Sequence, residues 1–285
     1  MAAVAMGSNF PKVLSQEIFN KVRGKSSLAK LSQQIPVAFT GTDVFTFDFD
    51  HEVSIVAEGA PKVEGGAAVA PVTIKPVKVE YGARVTDEFL YASEERQLEI
   101  LGEFVEAFSR KLAKGLDMMA LHGVNPYTGT ASAVIGTNHL DSKATAVSGA
   151  TSIEAGMATA AATVTNYDLN GVILSKAAGA ELGALKENGV SVYPQLKWGG
   201  NIDEINGLKA DVNITADASN PVAYTGDFDA FKWGYARDIF TKVIEYGDPD
   251  NTGVDLAGSN QVYLRAEAYI GWGIMDGAAF AKVTE

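Results

Sequence analysis

Cysteine is absent from this 285-residue chain. That excludes a disulfide framework and every thiolate metal site, and it is compatible with a reducing compartment. Positive charge is scarce: 23 Lys and Arg stand against 35 Asp and Glu, a net charge of −12. A protein that reads nucleic-acid sequence normally carries a basic face, so this balance argues against that class. Histidine occurs only at 51, 122 and 139. "HEVSI" has no second histidine at the fourth place after His51, so it is not a zinc-binding helix. Nucleophile-elbow, Walker and dinucleotide fingerprints are all missing. No apolar run approaches the ~20 residues of a membrane span. The start, "MAAVAMGSNFPK", lacks the cationic and apolar regions of a secretory signal.

What is present is unevenly arranged. Residues 10 to 34 hold Lys12, Lys21, Arg23, Lys25 and Lys30 against Glu17, a local charge of +4 that leaves −16 on the rest. A basic arm on an acidic body can dock on other copies of the chain or touch an anionic partner. The hydrophobic share, 47%, suffices for a sizeable core, and the length fits one elaborated domain or two interlocked subdomains.

"DVFTFDFD" alternates, placing Phe45, Phe47 and Phe49 on one face, and predicts a half-buried strand. A return strand is expected from about Val72 to Val85. Its face parity switches at Pro76, as at a bulge or edge. Together the two predict a long two-stranded arm, bent near Pro76, which would be marginally stable alone. Its tip, "VAEGAPKVEGGAAVAPV", is small and apolar, with too few large side chains for a core of its own. It makes sense if another copy of the chain covers it.

From Ser93 to about Leu121, apolar residues at 98, 101, 105, 108, 112, 116 and 119 follow helical spacing. Ser93 is the expected N-cap, and His122 suits the negative helix end. Glu95, Glu99, Glu103 and Glu106 fall on the opposite face, where solvation accounts for them. Further on, Ser- or Thr-capped small-residue helices begin near 151 and 175. Short strands follow, with tight turns at Asn170-Gly171, Asn188-Gly189 and Asn206-Gly207. "DIFTKVIEY" and "QVYLRAEAYIGW" read as long strands, and "AAFAKV" as a closing one.

Candidate chemistry is sparse. In "DPDNTGVDLAGS", Asp248, Asp250, Thr252 and Gly253 match the first half of a calcium loop. The twelfth position is Ser259 rather than a bidentate Glu, and the flanks are strands. An acidic turn between strands is the simpler reading. No catalytic residue and no cofactor site is identified. A small carboxylate-dependent hydrolase stands as the alternative from another function class.

Six segments carry a resemblance: "FPKVLSQEIFNKVRGKSSLAKL", "FDHEVSIVAEGAPKVEGG", "PVKVEYGARVTDEFLYASEE", "KLAKGLDMMALHGVNPYTG", "GDFDAFKWGYARDI" and "EYGDPDNTGVDLAGSNQVYLRAEAYIGWGI". In this order they resemble the major capsid proteins of tailed double-stranded DNA phages, and most of all those of siphophages of Gram-positive bacteria. The resemblance implies an α+β chain of the Hong Kong 97 type. Residues 1–40 would be an N-terminal arm and 43–86 an extended loop. Residues 87–145 and 236–268 would form a peripheral domain with a spine helix at about 93–121, and 146–235 with 269–285 an axial domain.

The implied function is self-assembly, through pentamers and hexamers, into an icosahedral head shell around the phage DNA, without sequence-specific DNA binding. The implied setting is the virion, assembled in the host cytoplasm. The implied partners are a portal, in some members decoration proteins, and a scaffold that is either a separate protein or a segment removed by processing; no membrane is involved. Glu58, Lys62, Glu64, Gly65 and Gly66 in the loop, with Lys21, Arg23 and Lys25 in the arm, are the expected intersubunit contacts. An encapsulin-like shell holding protein cargo is the alternative within the same fold.

Overall fold

The computed structural model describes residue 22 and residues 25–148, 152–218 and 221–284. Lys21 and Arg23 lie outside these. In chain order the elements are α1 (Ser27–Leu31), β1 (Gln33–Gln34), β2 (Thr42–Phe49), β3 (Ala67–Ile74), β4 (Pro76–Thr86), α2 (Glu88–Tyr91), α3 (Glu94–His122), α4 (Leu140–Lys143) and β5 (Thr145–Ser148). Then come α5 (Ile153–Thr163), β6 (Gly171–Leu174), α6 (Lys176–Ala184), β7 (Lys186–Glu187), β8 (Val190–Ser191), β9 (Glu204–Ile205) and β10 (Leu208–Val212). β11 (Pro221–Gly226), β12 (Phe231–Ile244), β13 (Gln261–Ile274) and β14 (Phe280–Thr284) complete the chain.

The expected long helix forms. The Ser93 hydroxyl accepts from the Arg96 N–H at 3.4 Å, and α3 then runs for 29 residues, roughly 40 Å. Gly123 ends it in the left-handed conformation at φ +68° and donates back to the Met119 carbonyl. A side chain there would also collide with the His139 ring. The C-cap is therefore Gly123, and His122 is buried instead of capping. Leu101, Val105, Phe108, Leu112, Leu116 and Met119 are buried as the spacing requires. Leu98 is in phase with them yet 43% exposed, so at that level a partner is missing rather than the pattern.

α3 packs its stripe on a four-stranded sheet of order β1-β12-β13-β4. Val105, Phe108 and Leu112 meet Ile239, Ala266 and Ala268. Leu101 meets Val262 and Leu264. A six-stranded sheet, β5-β14-β11-β6-β10-β9, forms the second layer with α5 and α6. The last turns of α3 join the two. Leu116, Met119 and Leu121 share one core with Trp233, Trp272, Tyr224 and Phe280.

Three expectations need correction. The return strand is not one arm. β3 closes a hairpin with β2, from Thr42 opposite Ile74 to Phe49 opposite Ala67. Past Lys75, β4 leaves the hairpin and pairs along β13, from Pro76 opposite Gly271 to Thr86 opposite Gln261. The parity switch near Pro76 is this change of sheet. Ile74 is fully buried, and a Cβ on Gly273 would lie 2.8 Å from it, so the glycine makes room for the root of the arm.

Second, β2 is not half-buried: Phe45, Phe47 and Phe49 are 61%, 65% and 72% exposed. Third, Asn170-Gly171 is no tight turn. Asn170 caps the Phe228 N–H through Oδ1 at 2.8 Å, and Gly171 begins β6, where a Cβ would meet the Phe228 ring. The other two Asn-Gly pairs do turn, with both residues of each at positive φ.

A candidate assembly surface

The hairpin β2–β3 is built on one pair of strands and carries an aromatic ladder that stays mostly exposed. Val69, opposite Phe47, is 50% exposed as well. Beyond Phe49 the chain makes a tip, residues 50–66, whose every residue is exposed. Val53 and Ile55 are 99% and 100% exposed. The tip is tied at its neck. Gly66 N–H donates to Asp50 Oδ2 at 2.9 Å, and the His51 ring nitrogens face the backbone carbonyls of Glu52 and Glu64 at 2.7 and 3.0 Å. The carbonyl of Glu52 first, and that of Glu64 second, hold the His51 pKa above its ordinary value. A Cβ on Gly66 would press on Asp50 at 2.9 Å, so glycine suits that neck position. Of the expected contact residues, Glu58 and Lys62 stand exposed on the tip, while Glu64, Gly65 and Gly66 form its neck.

Lys25, at the root of the arm, is exposed and lies 3.9 Å from Glu106 on α3. Next to it is an anchor that sequence reasoning missed. Asp117, fully buried on α3, accepts from the Ser26 hydroxyl (2.6 Å), the Ser27 N–H (3.1 Å), the Leu28 N–H (3.2 Å) and Asn213 Nδ2 (2.6 Å). It thereby fastens the start of α1 to α3 and to the end of β10. Lys30 completes the attachment through Asp211 at 3.1 Å and Asp203 at 2.7 Å. Burial pushes the Asp117 carboxyl up to about 6, against the pull of its hydrogen bonds. The one signal that could have found it is its phase: Asp117 lies at helical spacing from Ala113, Ala120 and Leu121, inside the buried stripe, where its charge masks the pattern.

A second buried network joins the end of α3 to the six-stranded sheet. His122 Nδ1 lies 2.7 Å from Asp141, and Nε2 lies 2.7 Å from the Thr215 carbonyl. The Tyr224 hydroxyl donates to Asp141 at 2.7 Å, and Lys282 Nζ donates to the Asp141 carbonyl at 2.6 Å. Burial first, and the Asp141 charge second, push the Tyr224 phenol far up, so it acts as a hydroxyl donor throughout.

The acidic turn between β12 and β13 does gather Asp248, Asp250 and Thr252, but the cation they surround is the chain's own. Arg84 Nη2 donates to Asp248 (2.8 Å), to Thr252 Oγ1 (2.6 Å), to the Val254 carbonyl (3.0 Å) and to Asp250. Arg84 Nε adds a second bond to Asp250 at 2.9 Å. Its guanidinium pulls the Asp250 carboxyl down to about 2. Among the described residues no group of three or more His, Asp or Glu is arranged to hold a metal ion. Nor is any helix among them long and apolar enough to cross a membrane.

A two-layer subunit with an uncovered arm is thus the main geometric finding, and comparison with known proteins assigns it. The model of the phage capsid family matches residues 8–284. The chain belongs to the phage capsid family. It is a major capsid protein of the Hong Kong 97 type, a structural component of the head shell. A solved chain from Mycobacterium phage Ogopogo is 30% identical at a TM-score of 0.75, with 91% of this chain and 92% of that one covered. One from Gordonia phage Cozz is 25% identical at 0.74, over 91% and 86%. The capsid of an empty GTA particle, computed with C5 symmetry, shares the fold at 13% identity and a TM-score of 0.66, over 91% and 89%. No curated protein matches this one.

Proposed function

We propose that this capsid protein builds pentamers and hexamers by laying its hairpin arm on a neighbouring copy, and that assembly, not catalysis, is its task. The observation that carries this is the Phe45, Phe47 and Phe49 face, left in water by the chain itself. A two-stranded ribbon with a wet aromatic face needs an added surface. On the same reading, residues 1–40 are an arm, α3 with β4, β12 and β13 a peripheral domain, and the six-stranded sheet an axial domain around capsomer centres. The closed shell encloses double-stranded DNA without reading its sequence. It is assembled in the host cytoplasm with a scaffold, a portal and decoration proteins. Glu58, Lys62 and Glu64 on the tip, with Lys21, Arg23 and Lys25 in the basic arm, supply polar contacts between copies.

The test shortens the arm. Phe49 lies opposite Ala67, so residues 50–66 can be replaced by Asn-Gly, a two-residue hairpin turn. The subunit should keep its melting temperature and circular dichroism. Particles should be lost from cells that also express its scaffold and neighbouring virion proteins. Normal particles from this variant would overturn the reading.

A further inference from the structure

The tip holds a stretch with strand composition and no strand partner. In Glu52-Val53-Ser54-Ile55-Val56, β-branched residues dominate and Val53 and Ile55 share one face. Yet no hydrogen bond among the described residues reaches the backbone of residues 53 to 56. The four-stranded sheet offers the matching vacancy. β4 ends it and, among the described residues, is paired on one side only, against β13. That free edge is eleven residues long, and its pairing with β13 runs without a register shift. Its only proline is at the first position. The opposite edge is blunted: β12 has two register shifts and carries β1 at Lys232 and Trp233. Long, regular edges accept strands from other chains.

We propose that Glu52–Val56 of one copy adds as a fifth strand along the free edge of β4 in a neighbouring copy. The proposal rests on the clasp reading above and names its receptor. A second copy is the occupant because the chain's own tip cannot reach. Eight paired residues of β2 hold it roughly 25 Å from the start of β4. Charge agrees with the pairing. Asp50, Glu52, Glu58 and Glu64 surround the tip segment against Lys62 alone, while Lys75 lies exposed just before β4; Lys78 is already paired with Glu267 at 3.2 Å within its own sheet. On the face of β4 toward α3, Tyr81 is 44% exposed and Val79 half-buried, which leaves apolar surface beside which Val53 and Ile55 can lie.

Because the chain has no cysteine, introduced pairs report directly. Ile55→Cys is combined in turn with Val79→Cys, Tyr81→Cys and Ala83→Cys, three same-face positions that span the unknown register. Ile55→Cys with Val190→Cys is the control. Oxidised particles should give covalent ladders of subunits on a non-reducing gel for at least one β4 pair and none for the control. In parallel, Ile55→Pro and Val56→Pro each remove one N–H. Consecutive N–H groups point to opposite edges, so one of the two must lie in the ladder. At least one of them should lower particle yield tenfold or more at unchanged subunit melting, and Ile55→Thr should retain particles. Normal yield from both proline variants, or particles without a ladder from any β4 pair, overturns the assignment. If the Asn-Gly arm abolishes particles while both proline variants assemble, only the β4 receptor falls. If the Asn-Gly arm also assembles, the clasp itself falls.

Discussion

Phe47 lies at the centre of the aromatic ladder, and Phe47→Ser separates what the arm does for the subunit from what it does between subunits. The ring is 65% exposed in the single chain. A phenylalanine presents about 150–250 Å² in all, so roughly 130 Å² remains for a neighbour to cover. At about 25 cal/mol per Å² that area contributes about 3 kcal/mol to each arm contact, as an upper figure because a neighbour need not cover all of it. Within the subunit the change loses strand propensity at a surface site, about 0.5–1 kcal/mol at most. Since about 1.4 kcal/mol is a factor of ten, each contact should weaken by up to roughly 100-fold. The assay pairs two readings on purified material: thermal melting of the subunit, and the threshold concentration for particles by light scattering and sedimentation. The expected result is a melting point almost unmoved and a threshold raised at least tenfold. An unchanged threshold would mean that the ladder stays in water in the shell. A collapse in melting would mean that it packs at home.

Other substitutions probe the scaffold behind the arm. Phe108, 3% exposed, should cost about 3–5 kcal/mol as Phe108→Ala, whereas Glu99→Ala on the wet face of α3 should stay within about 0.5 kcal/mol; urea unfolding of both decides it. Arg84→Met should let the Asp250 carboxyl rise from about 2 toward its ordinary range, followed by carbon-detected NMR titration. Asp250 is depressed in the fold, so its stabilising contribution is present above pH ~4 and is lost as pH falls through about 2. The variant should not show that loss. Asp117 has the opposite sign. Its folded value, about 6, lies above the unfolded one, so its contribution is fullest below pH ~4 and declines as pH rises to 6. Unfolding measured at pH 4, 5, 6 and 7 should show that decline in the parent and not in Asp117→Asn. A parent and variant with parallel profiles would refute the assignment.

The parts of this fold that were legible in the sequence are those where one local rule acts alone. The stripe on α3 follows from helical spacing, its start from the Ser93 hydroxyl, and β12 and β13 from alternation. What was not legible depends on pairs far apart in the chain. That β4 leaves the arm is decided by β13, almost two hundred residues later. That Asp248 and Asp250 enclose a guanidinium is decided by Arg84, more than 160 residues earlier. A half-motif for calcium and a clamp for arginine use the same carboxylates, and only the distant partner distinguishes them. Asp117 and His122 were hidden for a related reason. A polar residue in an apolar stripe breaks the pattern, and its partners are far away: donors at the start of α1 and in the turn after β10 for Asp117, and the Asp141 carboxylate and Thr215 carbonyl for His122.

Those same long-range contacts explain how the arm can be both firmly rooted and unsupported. Its root is fixed twice. Ile74 is plugged against Gly271 and Gly273, and β4 is laddered to β13 for its whole length. Beyond the root, however, β2 and β3 pair, among the described residues, with each other alone. A ribbon of this kind gains nothing from its aromatic face in isolation, so the uncovered Phe45, Phe47 and Phe49 do not follow from the stability of one chain. On the proposed reading they follow from a state in which the chain is not alone. The fixed root matters to that state. An arm hinged freely at its base would lose orientational freedom each time it docked, whereas one held by Ile74 and β4 presents its face already oriented, which lowers the entropic cost of association. The rigid root and the bare ribbon are therefore two halves of one arrangement: the first belongs to the subunit, and the second, on the proposed reading, to the contact between subunits.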